Sequence, residues 1–211
     1  MHSASRLDVS SVLTYAYYST RQKVISQVNF AHYNNELIGL AVTLVNTDQR
    51  YIGGGDEISD LASLKVFLED YKDIWEGVAH QPRRGELTAI HELRDALRGV
   101  ISSEDETEAS ERLNAILTES TATPRISVHT GHPHLHFEPQ DSAMRSWLGV
   151  VTAMGLATVL VDHGLERFGS CHSGTCDDVY VDTSRNRSRR HCSTPCSTRE
   201  AVTAYRKRQR D

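Results

Sequence analysis

Apolar residues recur at every third or fourth position over three stretches in the middle of the chain, and this spacing predicts three amphipathic helices. They lie within residues 59–75, 84–101 and 104–120. The third stretch begins with a run of acidic residues, which suits the positive end of a helix dipole. Each predicted helix would bury one face, and in the second that face carries Leu87, Ile90, Leu93 and Leu97.

Two longer apolar runs flank these helices. Residues 37–46 (LIGLAVTLVN) are too short to assign to a helix or a strand from periodicity alone. Residues 142–163 predict a long buried helix that ends at Gly164. Its apolar part, residues 146–161, is shorter than the roughly 20 residues that a bilayer requires. We therefore expect a core helix and no membrane association, and the N-terminus shows no secretory signal.

Between the third helix stretch and the long helix the periodicity changes. Residues 125–139 alternate around a Gly-His-Pro break, which predicts an antiparallel β-hairpin. The histidines in it have two interpretations, a metal or catalytic site completed by Glu138, or the solvent-facing side of a half-buried hairpin. Alternate strand residues always share a face, so the second interpretation is favoured. These histidines are His129, His132, His134 and His136.

A glycine-rich segment, residues 51–60, predicts a loop that connects residues 37–46 to the first helix. It carries no spaced-glycine or Gly-Lys-Ser/Thr pattern, so a phosphate-binding loop is not indicated. We expect Asp56 or Ser59 to cap the helix that follows.

Charge is distributed unevenly along the 211 residues, whose net charge is −5. Between Tyr180 and Arg210, nine Lys and Arg face only Asp182 and Glu200, a charge of +7, whereas residues 1–179 carry −11. A basic tail on an acidic body is typical of proteins that bind nucleic acid.

All four cysteines lie in the same C-terminal part of the chain. Cys171 and Cys176 form one pair, Cys192 and Cys196 a second, and fifteen residues separate the pairs. Two short chelating turns supply the tetrahedral thiolate donors that structural zinc requires. Disulfides would need an oxidising compartment, which nothing here indicates. The spacing therefore predicts one structural Zn²⁺ with no open coordination position.

Zinc binding would order a segment too short to bury a core of its own. The ordered part is basic. Ser197 and Glu200 have the spacing of a capping box, which predicts a helix from Thr198. The loop before the second cysteine pair and this helix are the predicted nucleic-acid contacts, and arginine can hold phosphate or read guanine. These contacts are Arg185, Asn186, Arg187, Ser188, Arg189, Arg190, Arg199, Arg206, Lys207 and Arg210.

These C-terminal residues resemble the CGNR zinc-finger family. The matching positions are Asp182, Ser184, Arg185, Asn186, Ser188, Arg189, Arg190, Cys192, Cys196, Arg199, Tyr205, Arg206 and Arg208. The family's Cys-Gly-Asn-Arg is Cys-Ser-Thr-Arg here, and its tryptophan is His191. The sequence TLVNT at residues 43–47 is similar to the start of the ABATE domain that precedes this finger in the family.

The resemblance implies a bacterial, cytoplasmic transcription regulator that associates with the nucleoid. Its partner would be double-stranded DNA, and the body would sense a small-molecule effector or form a homodimer. We predict an α+β fold with a mainly helical body, a small antiparallel β-hairpin and a small C-terminal zinc module. The predicted division is an N-terminal extension (1–33), an ABATE-like domain (34–165) and a CGNR-like finger (166–211).

Two other functional classes fit parts of the sequence. The basic module could bind RNA or an acidic protein, although only Tyr180 and Tyr205 in it could stack on bases. An enzyme could use the histidine-rich hairpin with Asp141, but no nucleophile and base are recognisable from the sequence. We therefore expect a protein that is not an enzyme.

Overall fold

The computed structural model describes residues 35–49, 55–71, 74, 82–83, 85–128 and 133–209. Predictions for the N-terminal extension, for His129 and His132, and for Arg210 lie outside these residues. The described helices are α1 (Asn35–Asn46), α2 (Leu61–Glu69), α3 (Glu86–Ile101), α4 (Glu106–Glu119), α5 (Met144–His163) and α6 (Thr194–Arg208).

The described strands form three antiparallel pairs. They are β1 (Asp48–Gln49) with β2 (Gly55–Asp56), β3 (Thr123–Ser127) with β4 (His134–Glu138), and β5 (Phe168–Ser170) with β6 (Val179–Val181). The predicted α+β fold with a mostly helical body is confirmed. The β3–β4 hairpin is the predicted one, and its register opposes Arg125 to His136 and Ile126 to Leu135.

Helix α5 is the centre of the body, and it packs against α1, α3 and α4. Residue 155 is glycine because α1 crosses there: a Cβ would lie 3.2 Å from the backbone of Leu37. The apolar run at residues 37–46, which the sequence alone did not assign to a helix or a strand, lies within helix α1. The 20-residue α5 is long and apolar enough to span a membrane, contrary to our expectation, but 67% of its apolar window is buried inside the protein. It is therefore the core helix of the body.

Helix ends follow the expected capping chemistry, with one change of residue. Asp60 caps α2, because its carboxylate accepts a hydrogen bond from the Ser63 N–H at 2.8 Å. The expectation that Asp56 or Ser59 would do so is wrong. The Asp56 carboxylate instead forms an ion pair with Arg94 on α3. Helix α5 ends at Gly164, whose φ of 81° is accessible to glycine at little cost.

The strands that lead into the cysteine-rich segment belong to the core of the body. Val179 and Val181 on β6 are buried in the same apolar cluster as residues of α1, α3 and α5. Phe168 on β5 packs against that cluster. The cysteine-rich segment is therefore joined to the helical body by a shared core as well as by the chain.

Candidate metal centre and basic surface

The four cysteines come together from two turns. Cys171 follows β5, Cys176 precedes β6, Cys192 lies just before α6, and Cys196 lies in the first turn of α6. All four Sγ atoms lie within 4.8 Å of one another, and no pair is a disulfide.

This cluster has the dimensions of a zinc site. The Sγ atom of Cys192 lies 3.6 Å from those of both Cys176 and Cys196. A tetrahedron with Zn–S bonds of about 2.3 Å has sulfurs about 3.8 Å apart, so these separations fit a zinc ion at the centre. The predicted ligand set is assembled, and four cysteines suit one structural zinc ion.

The pKa values of the cysteine thiols link their ionisation to the binding of a metal ion. Burial raises the pKa of Cys176 to about 12 and also raises that of Cys192. For Cys196, burial acts in the same direction, but hydrogen bonds from Ser193 and the neighbouring thiols leave its pKa lowered. Thiols with raised pKa values become thiolates near neutral pH only when a metal ion binds them, so folding of this segment is linked to zinc.

Helix α6 begins four residues earlier than predicted, at Thr194, with Pro195 in its first turn. Proline is favoured there because the first turn needs no N–H donor, and this was the signal that the sequence analysis missed. Ser197 and Glu200 therefore do not form the capping box. The Glu200 carboxylate instead accepts a hydrogen bond from Ser173 at 2.9 Å, which links α6 to the first cysteine turn.

Arg199 lies on the metal centre. Its guanidinium donates to Thr175 Oγ1 at 3.2 Å and lies 4.0 Å from Cys196 Sγ. Arg199 is the arginine that the Cys-Ser-Thr-Arg sequence shares with the family pattern. Its position indicates that it stabilises a thiolate and connects the two cysteine turns.

Arg189 braces the loop before the second cysteine pair. Its guanidinium donates to the backbone carbonyls of His191, at 3.0 Å, and of Cys192. It also lies 5.4 Å from the ring centroid of Tyr180, a distance suited to cation–π attraction.

The start of the same loop is folded around Asp182. The Asp182 carboxylate accepts the N–H groups of Ser184 and Arg189 at 2.8 and 2.9 Å. Burial opposes the shift, but a hydrogen bond from the Ser184 side chain and these two backbone N–H groups leave the pKa of Asp182 lowered. The buried Arg167 donates to the carbonyls of Asp182 and Ser184. The basic loop is therefore an ordered structure and not a solvated tail.

The predicted nucleic-acid contacts fall into two groups. Arg187 pairs with Glu166, and Asn186 accepts a hydrogen bond from Ser188. These side chains, like those of Arg189 and Arg199, form hydrogen bonds or ion pairs with other residues of the protein. A second group makes no side-chain hydrogen bond or ion pair with any described residue, and all its members are exposed: Arg185, Arg190, Arg206 and Lys207. Arg208, which was not among the predicted contacts, is exposed and without such a partner in the same way.

A groove of about 600 Å³ separates the basic loop from the start of α6. Its lining includes Ser188, Arg190 and His191 of the loop, together with three hydroxyl-bearing residues at the start of α6. These three are Ser193, Thr194 and Ser197, none of which the sequence analysis selected as a nucleic-acid contact. Asp182 also lines the groove, but its carboxylate is occupied by the loop backbone.

The histidine-rich hairpin carries no metal cluster within the part of the chain that the structure describes. There, the four cysteines are the only group of three or more ligating side chains close enough to share an ion. His136 lies on β4 opposite Arg125. The positions of His129 and His132, and the side chain of His134, lie outside the described structure.

Comparison with protein families matches nearly the whole described chain. Residues 39–163 match the ABATE family, described as "Putative stress-induced transcription regulator". Residues 167–209 match the CGNR zinc finger. Neither description is that of an enzyme. No protein with a curated description matches this chain.

Proposed function

Because the chain belongs to the ABATE family and ends in a CGNR zinc finger, we propose that it regulates transcription by binding double-stranded DNA through that finger. The observation that carries the proposal is the group of five unpaired cations. Arg185 and Arg190 lie on the braced loop, while Arg206, Lys207 and Arg208 lie on α6. One set of cysteines fixes both elements, so the cations form a preorganised surface for phosphates.

The shape of α6 supports binding to a duplex. Residues 201–208 of α6 are all exposed, so about 12 Å of helix extends beyond the metal centre. The major groove of DNA admits an α-helix of this kind. The acidic body, in contrast, repels phosphates, which favours complexes in which the finger faces the DNA.

The groove between the loop and α6 suits a backbone phosphate. Among its lining residues, Arg190 would supply charge, and the hydroxyls of Ser193, Thr194 and Ser197 would supply donors. The first backbone N–H groups of α6 also lie at this end of the helix, where its dipole favours an anion. In this arrangement zinc has no catalytic part: Cys171, Cys176, Cys192 and Cys196 would hold it, and its binding orders the surface.

The ABATE body has a regulatory role in this proposal. It would receive a signal, such as a small-molecule effector, or join two copies of the chain. A bound effector or a dimer contact would change the orientation of the finger on DNA, because the finger shares its core with the body.

Fluorescence anisotropy with zinc-loaded protein tests the proposal. We expect binding to genomic duplex fragments that weakens steeply with salt and disappears after chelation. Replacing Arg206, Lys207 and Arg208 by Gln should reduce the salt slope by about 0.9 for each phosphate that the variant no longer neutralises. Replacing the body residues Lys65 and Arg112 by Gln is the control and should leave the slope unchanged. No duplex binding at low salt would refute the proposal, and tighter binding to RNA or polyglutamate would assign the surface to another partner.

A further inference from the structure

Asn46, the last residue of α1, binds the backbone of the zinc finger. Its Nδ2 donates to the carbonyl of Val179 at 2.9 Å, and its Oδ1 accepts the N–H of Val179 at 2.8 Å. One carboxamide thus satisfies both backbone groups of a β6 residue, as a neighbouring strand would. Strand β6 is paired with β5 on its other side. Asn46 therefore takes the place of a third strand.

Arg98 on α3 makes a second connection at the same junction. Its Nη1 donates to the carbonyl of Asp177 at 2.7 Å, and its Nη2 donates to the carbonyl of Val45 at 3.1 Å. Asp177 directly follows the zinc ligand Cys176. One guanidinium thus joins the end of α1 to the chain one residue from the metal centre.

A partly buried ion pair lies next to this junction. Thr47, next to Asn46, accepts a hydrogen bond from Arg94, one turn before Arg98 on α3. Arg94 is 3% exposed, and it donates to both carboxylate oxygens of Asp56 at 2.8 and 2.7 Å. Two neighbouring contacts therefore join α1 and α3 here: Arg94, which is paired with Asp56, contacts Thr47, while Arg98 and Asn46 contact the finger.

We propose that Asn46 and Arg98 are positioning residues that transmit the state of the Asp56–Arg94 pair to the zinc finger. This deepens the proposed function, on which its regulatory meaning rests. The carboxamide keeps both hydrogen bonds only while the end of α1 stays in register with β6. A displacement of Thr47 or Arg94 would move the end of α1. It would therefore break the hydrogen bonds to Val179 on β6 and to Asp177 beside Cys176 together.

Hydrogen exchange on the full-length, zinc-loaded protein tests the connection without DNA. We expect Asn46→Ala and Asn46→Asp to lower the protection of β6 amides about tenfold or more, since both lose the donor to Val179. Zinc should remain at one per chain, and α4 and α5 should stay protected. Asn114→Ala, at an exposed position of α4, is the matched control and should change nothing.

A substitution in the Asp56–Arg94 pair tests the transmission itself. Asp56→Asn touches no residue of the finger, yet it should lower β6 protection while zinc content is retained. Unchanged β6 protection in Asp56→Asn would overturn the proposal. So would a loss in β6 no larger than the loss in α4 and α5, or one that appears only together with loss of zinc, because that is general unfolding. If Asn46→Ala does not fold, Arg98→Ala is judged by the same criteria.

DNA binding separates this inference from the proposed function. If the wild-type protein fails to bind duplex DNA, the proposed function fails, while the exchange results still decide whether the junction transmits a change. If the wild-type protein binds DNA and Asn46→Ala binds with the same affinity and salt slope, Asn46 does not position the finger and the inference is wrong.

Discussion

Arg189 is hydrogen-bonded to the backbone carbonyl of Cys192, so a residue of the basic loop holds a zinc ligand in place. Its neighbour Arg190 has an exposed guanidinium that forms no hydrogen bond or ion pair with the described residues. Two adjacent arginines that look equivalent in the sequence therefore have different surroundings. Arg189 supports the metal centre, and Arg190 is available to a polyanion.

We expect Arg189→Ala to weaken zinc binding about 10- to 100-fold, as loss of a residue that orients a ligand commonly does. Arg190→Ala is the matched control, and its zinc affinity should equal that of the wild type. Competition with a chromophoric chelator under reducing conditions measures both. Equal zinc affinities for the two variants would show that the bonds of Arg189 to the loop are dispensable.

Glu166 should act as an intramolecular competitor of DNA, because it pairs with Arg187. We expect Glu166→Gln to raise DNA affinity and steepen its salt dependence, since Arg187 becomes available to a phosphate. Arg187→Ala should cost less affinity than Arg190→Ala, whose guanidinium is already unpaired. Anisotropy titrations between 50 and 200 mM salt, about the range over which such contacts are resolved, provide the comparison. A decrease in affinity on Glu166→Gln would contradict this view.

The Asp56–Arg94 pair should make stability depend on pH. Burial opposes ionisation of Asp56, but hydrogen bonds from Arg94 and the Ile58 N–H leave its pKa lowered from 3.8. A lowered pKa stabilises the folded state above pH 3.8, and this contribution is lost as the pH falls through the lower folded-state value.

Asp56→Asn should therefore reduce the free energy of unfolding by roughly 1.5–3 kcal/mol at neutral pH, because the buried Arg94 loses its charged hydrogen-bond partner. The difference from the wild type should shrink below pH 3.8. Urea unfolding of both proteins at a series of pH values tests this, and loss of zinc at low pH affects both alike. A difference that stays constant with pH would rule out ionisation of Asp56 as the cause.

Two glycines should respond to alanine with opposite signs. Gly155→Ala places a Cβ 3.2 and 3.3 Å from the α1 backbone, which should destabilise the protein by about 1–3 kcal/mol. At Gly39, in the middle of α1, a Cβ meets no described atom within 4 Å. Gly39→Ala should stabilise by about 0.5–1 kcal/mol through helix propensity. Thermal unfolding measures both, and a stable Gly155→Ala variant would mean that α1 and α5 can separate without cost.

Local patterns predicted most of the fold. The 3–4 spacing of apolar residues predicted α2, α3 and α4, and the alternation within residues 125–139 predicted the β3–β4 hairpin. The apolar run of α1 remained unassigned because short buried helices and strands have the same composition. The start of α6 was misplaced because a capping-box pattern was given more weight than Pro195.

The amino-acid sequence by itself determined the metal site, since zinc chemistry depends on the number and spacing of cysteines and both are local properties. It also determined the segregation of positive charge at the C-terminus. Only the tertiary structure decided which arginines are available, because Arg187, Arg189 and Arg199 find their partners in the fold around them. It alone joined Asn46 to Val179, 133 positions apart. No local pattern encodes such a pair, since it exists only after the shared core has formed.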